Sequence, residues 1–263
     1  MTRNKIKIYC DEGTNDITNL QQSLVDYFEP LGIAIETTRA EEIIAKNSLD
    51  KQVLSFVMPG GRASPYYAKL QEVGNQKIRD YVAEGGIYLG ICAGAYYASQ
   101  TTYFEQDINE LALVEKYQLN LIQAEAIGTL YKELKISPFS WNIDSLTTTS
   151  IRWCKDQQSH VSCYHGGPYF AITEKQKVKV LAEYEIENQT LPAILHQKFG
   201  KGDVIVSGVH FEDSAKALRR VLSVLYKDKR KAQIIADKLA QHEDSRQALF
   251  NKVMQNILTT IRD

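Results

Sequence analysis

The sequence predicts an α/β protein: an open, mainly parallel sheet with helices on both faces, followed by a C-terminal helical extension. Two observations carry that expectation. Continuous apolar runs, VLSFVM at 53–58 and IYLGI at 87–91, have the character of strands buried on both faces. Segments with apolar residues at helical spacing alternate with them, and such a rhythm closes as parallel strands joined by helical crossovers.

The elements follow in order. Residues 5–10 (KIKIYC) alternate charged and apolar side chains and meet a turn at Asp11-Glu12-Gly13-Thr14. Residues 15–28 carry Ile17, Leu20, Leu24, Val25 and Phe28 on a helical period, stopped by Pro30 and Gly32. A short β-rich segment at 33–37 precedes a short helix at 41–45. After the strand at 53–58, Pro59-Gly60-Gly61 breaks the chain, and 65–83 forms a long helix ended by Gly85-Gly86. The strand at 87–91 runs into a helix at 93–99. Between 101 and 150 the pattern weakens to short candidate strands and a loop-like KISPFSWNID. Strands return at 161–164, 178–184, 193–199 and 203–207. Gly200-Lys201-Gly202 reads as a hairpin turn, which brings antiparallel pairs into the later part.

The chain has 263 residues, a net charge of -1, 44% hydrophobic and 24% charged residues. That length supports a sizeable core in one large domain or two small ones. Near-neutrality argues against nucleic acid or another polyanion as the main partner. No apolar run approaches the roughly 18 residues that span a bilayer. MTRNKIKIYC lacks the apolar stretch of a signal peptide, so a cytoplasmic location is expected, without membrane association.

The charge is unevenly placed. Residues 213–263 hold 11 Lys or Arg against 6 Asp or Glu, a net of +5, which leaves -6 for residues 1–212. The expected division is an α/β domain over 1–226 and a helical extension over 227–263. In the extension Leu249, Phe250, Val253, Met254, Ile257, Leu258 and Ile261 form an i, i+3, i+4 stripe, suited to packing on the domain or on a protein partner. A polar stretch at 241–247 separates two helices, and KDKRK at 227–231 reads as a solvated helix end.

Four cysteines in a chain this long do not make a disulfide scaffold. One of them stands in a distinctive context. In GGIYLGICAGAYYA (85–98) a buried strand meets Gly-Ile-Cys-Ala-Gly and a helix begins at once. This is the setting of a nucleophile elbow, and Gly90 and Gly94 leave room for a tight turn. Cys92 would then sit at a helix start, where the thiolate is favoured, with the Ala93 N–H facing an oxyanion. The plainer alternative is a small buried cysteine.

A thiol nucleophile needs a base and an orienter. His210 follows the apolar strand of DVIVSGVHFE, and Glu212 two residues on is placed to hold its ring. Both Cys92 and His210 lie beyond strand ends, where ligands collect in open parallel sheets. Pro59-Gly60-Gly61 adds a Gly-rich turn on the same edge, with N–H groups that can complete an oxyanion hole. Asp11, Gly13 and Thr14 reach that edge too, as substrate contacts or as a plain polar turn. Tyr96 and Tyr97 line a pocket or pack the elbow helix. Cys154, His160, Cys163 and His165 lack a paired metal-ligand spacing, so no metal and no cofactor is expected.

The segments FVMPGGRASPYYAKL, YVAEGGIYLGICAGAYYAS, YHGGPYF, VLAEYE and SGVHFE together resemble the class I glutamine amidotransferase-like superfamily, in the branch of the N-terminal domain of eukaryotic biotin-protein ligase. The resemblance covers roughly residues 5–215. It implies a flavodoxin-like sheet and a Cys-His-Glu triad, with Cys92 as nucleophile, His210 as base and Glu212 as orienter. It further implies Gly61 and Ala93 as oxyanion donors, and it places His165 and Gly166 of the His165-Gly166-Gly167-Pro168 loop near the site. Asp11, Gly60, Tyr96, His165 and Gly166 complete the expected substrate contacts. Two departures bear on the substrate. Glutamine amidotransferases usually have Gln four residues after the nucleophile, where this chain has Tyr96, and His-Pro-Glu where it has His210-Phe211-Glu212. There is no room for a ligase catalytic domain and no GRGRxGR-type loop, so a biotin ligase is not expected.

The expected function is thiolate attack on a small amide or related acyl compound, giving hydrolysis or transfer. The alternative is an inactive ligand- or protein-binding regulatory module on the same fold, with the C-terminal helices contacting a protein partner. A third candidate, a PfpI-type peptidase or stress protein, fits the downstream His-x-Glu pair less well.

Overall fold

A computed structural model describes residues 3–187, 189–225 and 229–259. The first half alternates as its apolar pattern requires: β1 (Lys5–Tyr9), α1 (Thr18–Phe28), β2 (Ala34–Thr38), α2 (Ala40–Lys46), β3 (Val53–Met58), α3 (Ala63–Ala83), β4 (Ile87–Ile91) and α4 (Ala93–Ala98). The weakly patterned stretch holds β5 (Thr102–Phe104), β6 (Leu113–Glu115) and β7 (Ala124–Gly128). Then come β8 (Leu146–Trp153), β9 (Ser159–His165), β10 (Tyr169–Ile172), β11 (Val178–Ile186), β12 (Gln189–Phe199) and β13 (Gly202–Ser207). Among the described residues three helices follow: α5 (Ala215–Leu225), α6 (Lys229–Ala240) and α7 (Glu243–Thr259).

Nine strands form one sheet in the order β2-β1-β3-β4-β13-β12-β11-β8-β9. The ladders from β2 to β13 are parallel, and those from β13 to β9 are antiparallel. The sheet is therefore mixed rather than mainly parallel. The reason is local: after β7 the chain returns by hairpins and short links, which permit only antiparallel neighbours, whereas parallel pairing needs a crossover. The β12–β13 turn is the expected one, with Phe199 facing Gly202 across Gly200-Lys201. A smaller sheet, β10-β7-β5-β6, lies beside the first and accounts for the weak pattern of 101–150.

Each face of the large sheet is covered. On one, Leu20, Leu24 and Phe28 of α1 and Leu249, Phe250, Val253, Met254 and Ile257 of α7 share a buried cluster with Ile6, Ile8, Leu89 and Ile91. On the other, α2, α3, α4 and the smaller sheet pack against Tyr9, Phe56, Met58 and Tyr88. The α7 stripe therefore packs on the sheet of its own chain; Leu258 is partly buried against the same cluster, and Ile261 lies outside the described residues. The 226/227 boundary and the first two residues of 227–231 also lie outside them. Lys231 reaches Asp144. The break between α6 and α7 is shorter than 241–247, because α7 already starts at Glu243.

The parallel strands end on one edge with the Asp11 turn, Pro59-Gly60-Gly61, Cys92, and the Gly208-Val209-His210 segment. The antiparallel half curls back over this edge: the His210 amide donates to Cys163 O of β9 at 2.9 Å, although β9 is the far strand of the sheet.

Candidate functional site

Cys92 stands between β4 and α4 with φ 50° and ψ -104°. A left-handed φ at a residue with a Cβ is a strained geometry that the surroundings must hold. They do so by hydrogen bonds on two sides. The Cys92 amide donates to Ser207 O at the end of β13 (2.8 Å), and the Gly94 amide donates to Pro59 O after β3 (3.2 Å). Gly94 is required by this closeness, since a Cβ there would lie 2.1 Å from Met58 O.

His210 lies beside Cys92. A Cβ on Gly60 would come within 2.7 Å of His210 Cε1 and 3.6 Å of Cys92 Cβ, so a bare backbone separates the turn after β3 from both side chains. His210 Nδ1 and Glu212 Oε1 are 2.8 Å apart, and both side chains are about nine-tenths buried. Burial alone would depress the imidazole's basicity, but the Glu212 carboxylate and the neighbouring Cys92 sulfur outweigh it and raise His210 well above the ordinary histidine value. The remaining Glu212 oxygen, Oε2, is buried without a hydrogen-bond partner.

Asp213 extends this pair. Its Oδ2 is 4.0 Å from His210 Nδ1, and ligand-type atoms of His210, Glu212 and Asp213 lie within 4.8 Å of one another. Desolvation and the Glu212 charge push the Asp213 carboxyl up to about 6. The backbone between His210 and Glu212 is fixed from the last helix: Arg246, 3% exposed, donates from Nη1 to Phe211 O at 2.7 Å.

Two cavities meet here. The larger, about 980 Å³, reaches Cys92 and Ala93 and is walled by Tyr96, Phe104, Tyr117, Phe139 and Trp141. The smaller, about 310 Å³, reaches His210, Glu212 and Asp213, with Asn15, Asp16 and Asn19 opposite. Asn15, Trp141 and His165 line both.

The residues expected from sequence divide accordingly. Cys92, His210 and Glu212 come together. Gly61 and Ala93 both border the larger cavity. Gly60 lies under Cys92 and His210. His165 stands at the junction, its carbonyl accepting from Cys92 Sγ at 3.6 Å and its Nε2 against Ser140 O at 3.1 Å. Burial and the charge of His210 push the His165 imidazole down to about 4. Tyr96, one turn into α4, donates its hydroxyl to Gly166 O at 3.1 Å and lines the larger cavity. Asp11 is drawn elsewhere: its carboxylate accepts from the amides of Glu12 (2.8 Å) and Ala40 (3.1 Å), which ties the β1 turn to the start of α2. Cys154, His160, Cys163 and His165 do not converge among the described residues, and His160 instead meets Ser245 O.

Sequence reasoning passed over Trp141, Phe139, Asp213 and Arg246. Asp213 had a signal, adjacency to Glu212. The other three lie 24–34 residues from the nearest predicted site residue, and only tertiary packing brings them in.

The fold resembles that of solved glutamine amidotransferases. A glutamine amidotransferase from Thermotoga maritima superposes with a TM-score of 0.61 at 14% identity, over 97% of this chain and 98% of that one. A second glutamine amidotransferase structure gives 0.54 at 19%, over 83% and 97%. At these identities the likeness is one of fold. The family is narrower: the model for the N-terminal region of biotin-protein ligase (Biotin-protein ligase, N terminal) matches residues 4–263, and the chain belongs to that family. The biotin–protein ligase of Schizosaccharomyces pombe is 29% identical over 225 residues, 80% of this chain and 34% of the ligase. An uncharacterized protein of Chlamydia muridarum is 29% identical over 216 residues, 81% of this chain and 82% of its own length. The chain thus spans about a third of the ligase it matches. Among the described residues no helix is long and apolar enough to cross a membrane.

Proposed function

We propose that the protein is a cysteine-dependent amidohydrolase or amidotransferase on a flavodoxin-like sheet, with Cys92, His210 and Glu212 as its triad. The observation that carries this is the strained Cys92 held against a His210–Glu212 pair that is itself nine-tenths buried. Backbone strain and buried ion pairs are costly, and they concentrate where chemistry uses them.

The mechanism follows from the groups in place. Imidazolium at His210 stabilises thiolate at Cys92, and Glu212 fixes the ring through Nδ1, leaving Nε2 for proton transfer. Cys92 Sγ attacks the amide carbon, and the carbonyl oxygen takes the charge, facing the N–H groups of Ala93 and Gly61. As the C–N bond breaks, its electron pair stays on nitrogen, which takes the proton from His210. Water then adds to the thioester while His210 accepts its proton; the C–S bond breaks and the thiolate returns. The products are a carboxylic acid and an amine.

The test is turnover of amides with acid quench and intact-mass detection of the acyl-enzyme. Wild type should accumulate or pass through an adduct on Cys92, while Cys92→Ser and His210→Asn should form none. The competing reading, a binding or regulatory module, draws on Tyr96 standing where amidotransferases place Gln. It predicts ligand affinity unchanged in Cys92→Ser and no amide turnover in wild type.

A further inference from the structure

The chemistry above assigns a direction to the site. The carbonyl carbon of the substrate must bond Cys92, and its nitrogen must reach His210. Cys92 borders only the larger cavity and His210 only the smaller one, with Trp141, His165 and Asn15 between them. The scissile bond therefore spans the junction, and the two halves of the substrate enter chemically different spaces.

The larger space is apolar where it is deep. Phe104, Phe139, Tyr96 and Tyr117 form its walls, while its charged groups, Glu12, Arg62 and Glu110, are all exposed at the rim. Glu12 is paired to Lys69 at 3.2 Å. Free glutamine would have to bring an ammonium and a carboxylate into this space without buried countercharges, and burying an unpaired charge is strongly unfavourable. At about 980 Å³ the space suits an acyl group far larger than that of a small amide.

The smaller space has the opposite character. Asp213 and Asp16 line it with carboxyl side chains and Asn15 and Asn19 with amides, and Arg220, which is not part of the lining, donates to Asn19 Oδ1 at 3.3 Å. Glu212 Oε2, on a side chain 7% exposed, has no hydrogen-bond partner and lies on a residue lining the same space. That oxygen is enclosed by protein, so the side chains on hand to meet a bound amine in this space are the carboxyls of Asp213 and Asp16. About 310 Å³ is more than ammonia needs and enough for a short aliphatic chain.

We propose that the two cavities are the acyl and amine subsites of one substrate: a secondary amide joining an apolar acyl group, seated beside Cys92, to a basic amine, seated beside Asp213 and Asp16. This rests on the assignment of Cys92 as nucleophile, but the seating of the two halves can be measured without it.

Four probes separate the terms: N-(4-aminobutyl)-3-phenylpropanamide, its N-(3-carboxypropyl) counterpart, 3-phenylpropanamide and L-glutamine. Binding is measured by calorimetry to the Cys92→Ser variant of the 263-residue chain, whose thermal melt is first matched to wild type. The aminobutyl amide should bind at least tenfold tighter than the carboxypropyl amide at 50 mM salt, with the gap narrowing at 0.5 M as screening sets in. It should also bind tighter than the primary amide, and glutamine should bind weakest. Asp213→Asn in the same background should reduce the cationic-over-anionic preference severalfold. Equal binding of the cationic and anionic amides, or preference for glutamine, overturns the proposal. Acyl-adduct formation with wild type is scored separately. Its failure alongside the expected binding order removes the nucleophile assignment and leaves the subsites standing.

Discussion

Arg246 of the last helix donates from Nη1 to the carbonyl of Phe211 at 2.7 Å, and Phe211 is the residue between His210 and Glu212. The C-terminal helix thus holds the backbone that carries the His210–Glu212 pair. Its guanidinium also bonds Glu243 Oε1 and Gln247 Oε1, and Glu243 Oε2 receives the amide of Ala215 at the start of α5. Phe211 and Phe250 rings meet at 6.1 Å on the same side.

Arg246→Met leaves Phe211 O buried without its donor and Glu243 without its cation. A loss of about 2–4 kcal/mol is expected, measured by denaturant unfolding. If Arg246 also positions the pair, Arg246→Lys should restore stability in part and shift the pH profile of amide turnover, whereas a purely structural role leaves the profile in place.

Glu212→Gln removes the charge that raises His210. The imidazole should titrate at lower pH by NMR, and the high-pH limb of turnover should move down with it, because the protonated imidazole is the acid. A loss in kcat on the order of 10²–10⁴ is expected by analogy with orienting carboxylates in other triads. A His210 titration that does not move would show that Glu212 does not set its charge.

Stability against pH carries two opposing signatures. His165 is held down near 4, so between the ordinary histidine value and 4 the unfolded chain binds a proton that the folded one refuses, and stability falls as pH falls. Asp213 is raised to about 6, so the folded chain binds the extra proton, and stability falls as pH rises from 4 to 6. Asp213→Asn should therefore raise the melting temperature above pH 6 while weakening binding of cationic amides. His165→Gln should flatten the acid side. A melting temperature lowered by Asp213→Asn at pH 7 contradicts the sign.

Gly60→Ala tests the contact under the pair. The new methyl would lie 2.7 Å from His210 Cε1, so the ring must move while the core is untouched. Cys92 reactivity and turnover should fall at least tenfold with near-normal melting. In contrast, Gly94→Ala sets a methyl against backbone Met58 O at 2.1 Å and should compromise folding itself.

How much of this was legible beforehand depended on range. β3, β4 and the elbow were legible because a fully buried strand is a continuous apolar run and its glycines mark close approach. The His210–Glu212 pair was legible because its two members are two residues apart. The sheet's antiparallel half was only hinted at by one hairpin. The smaller sheet was not legible, since β5 and β6 are three residues each and β7 pairs with β10, some forty residues on. Both readings of Asp11 stood open in the sequence, because a strand-end carboxylate can close a turn as readily as it can meet a substrate; in the fold it accepts from the Glu12 and Ala40 amides. Arg246 carried no local sign: a lone arginine in a polar stretch becomes a buried donor only when α7 lies across the sheet.

The central claim is that Cys92 is an activated nucleophile, and the direct measurement is its alkylation rate by iodoacetamide, mapped by peptide mass spectrometry in the native protein. Burial raises the thiols of Cys154 and Cys163 above their ordinary value. Cys92 should be modified at least tenfold faster than Cys10, Cys154 or Cys163, and its rate should drop in Glu212→Gln. A Cys92 that reacts no faster than the other three contradicts the account.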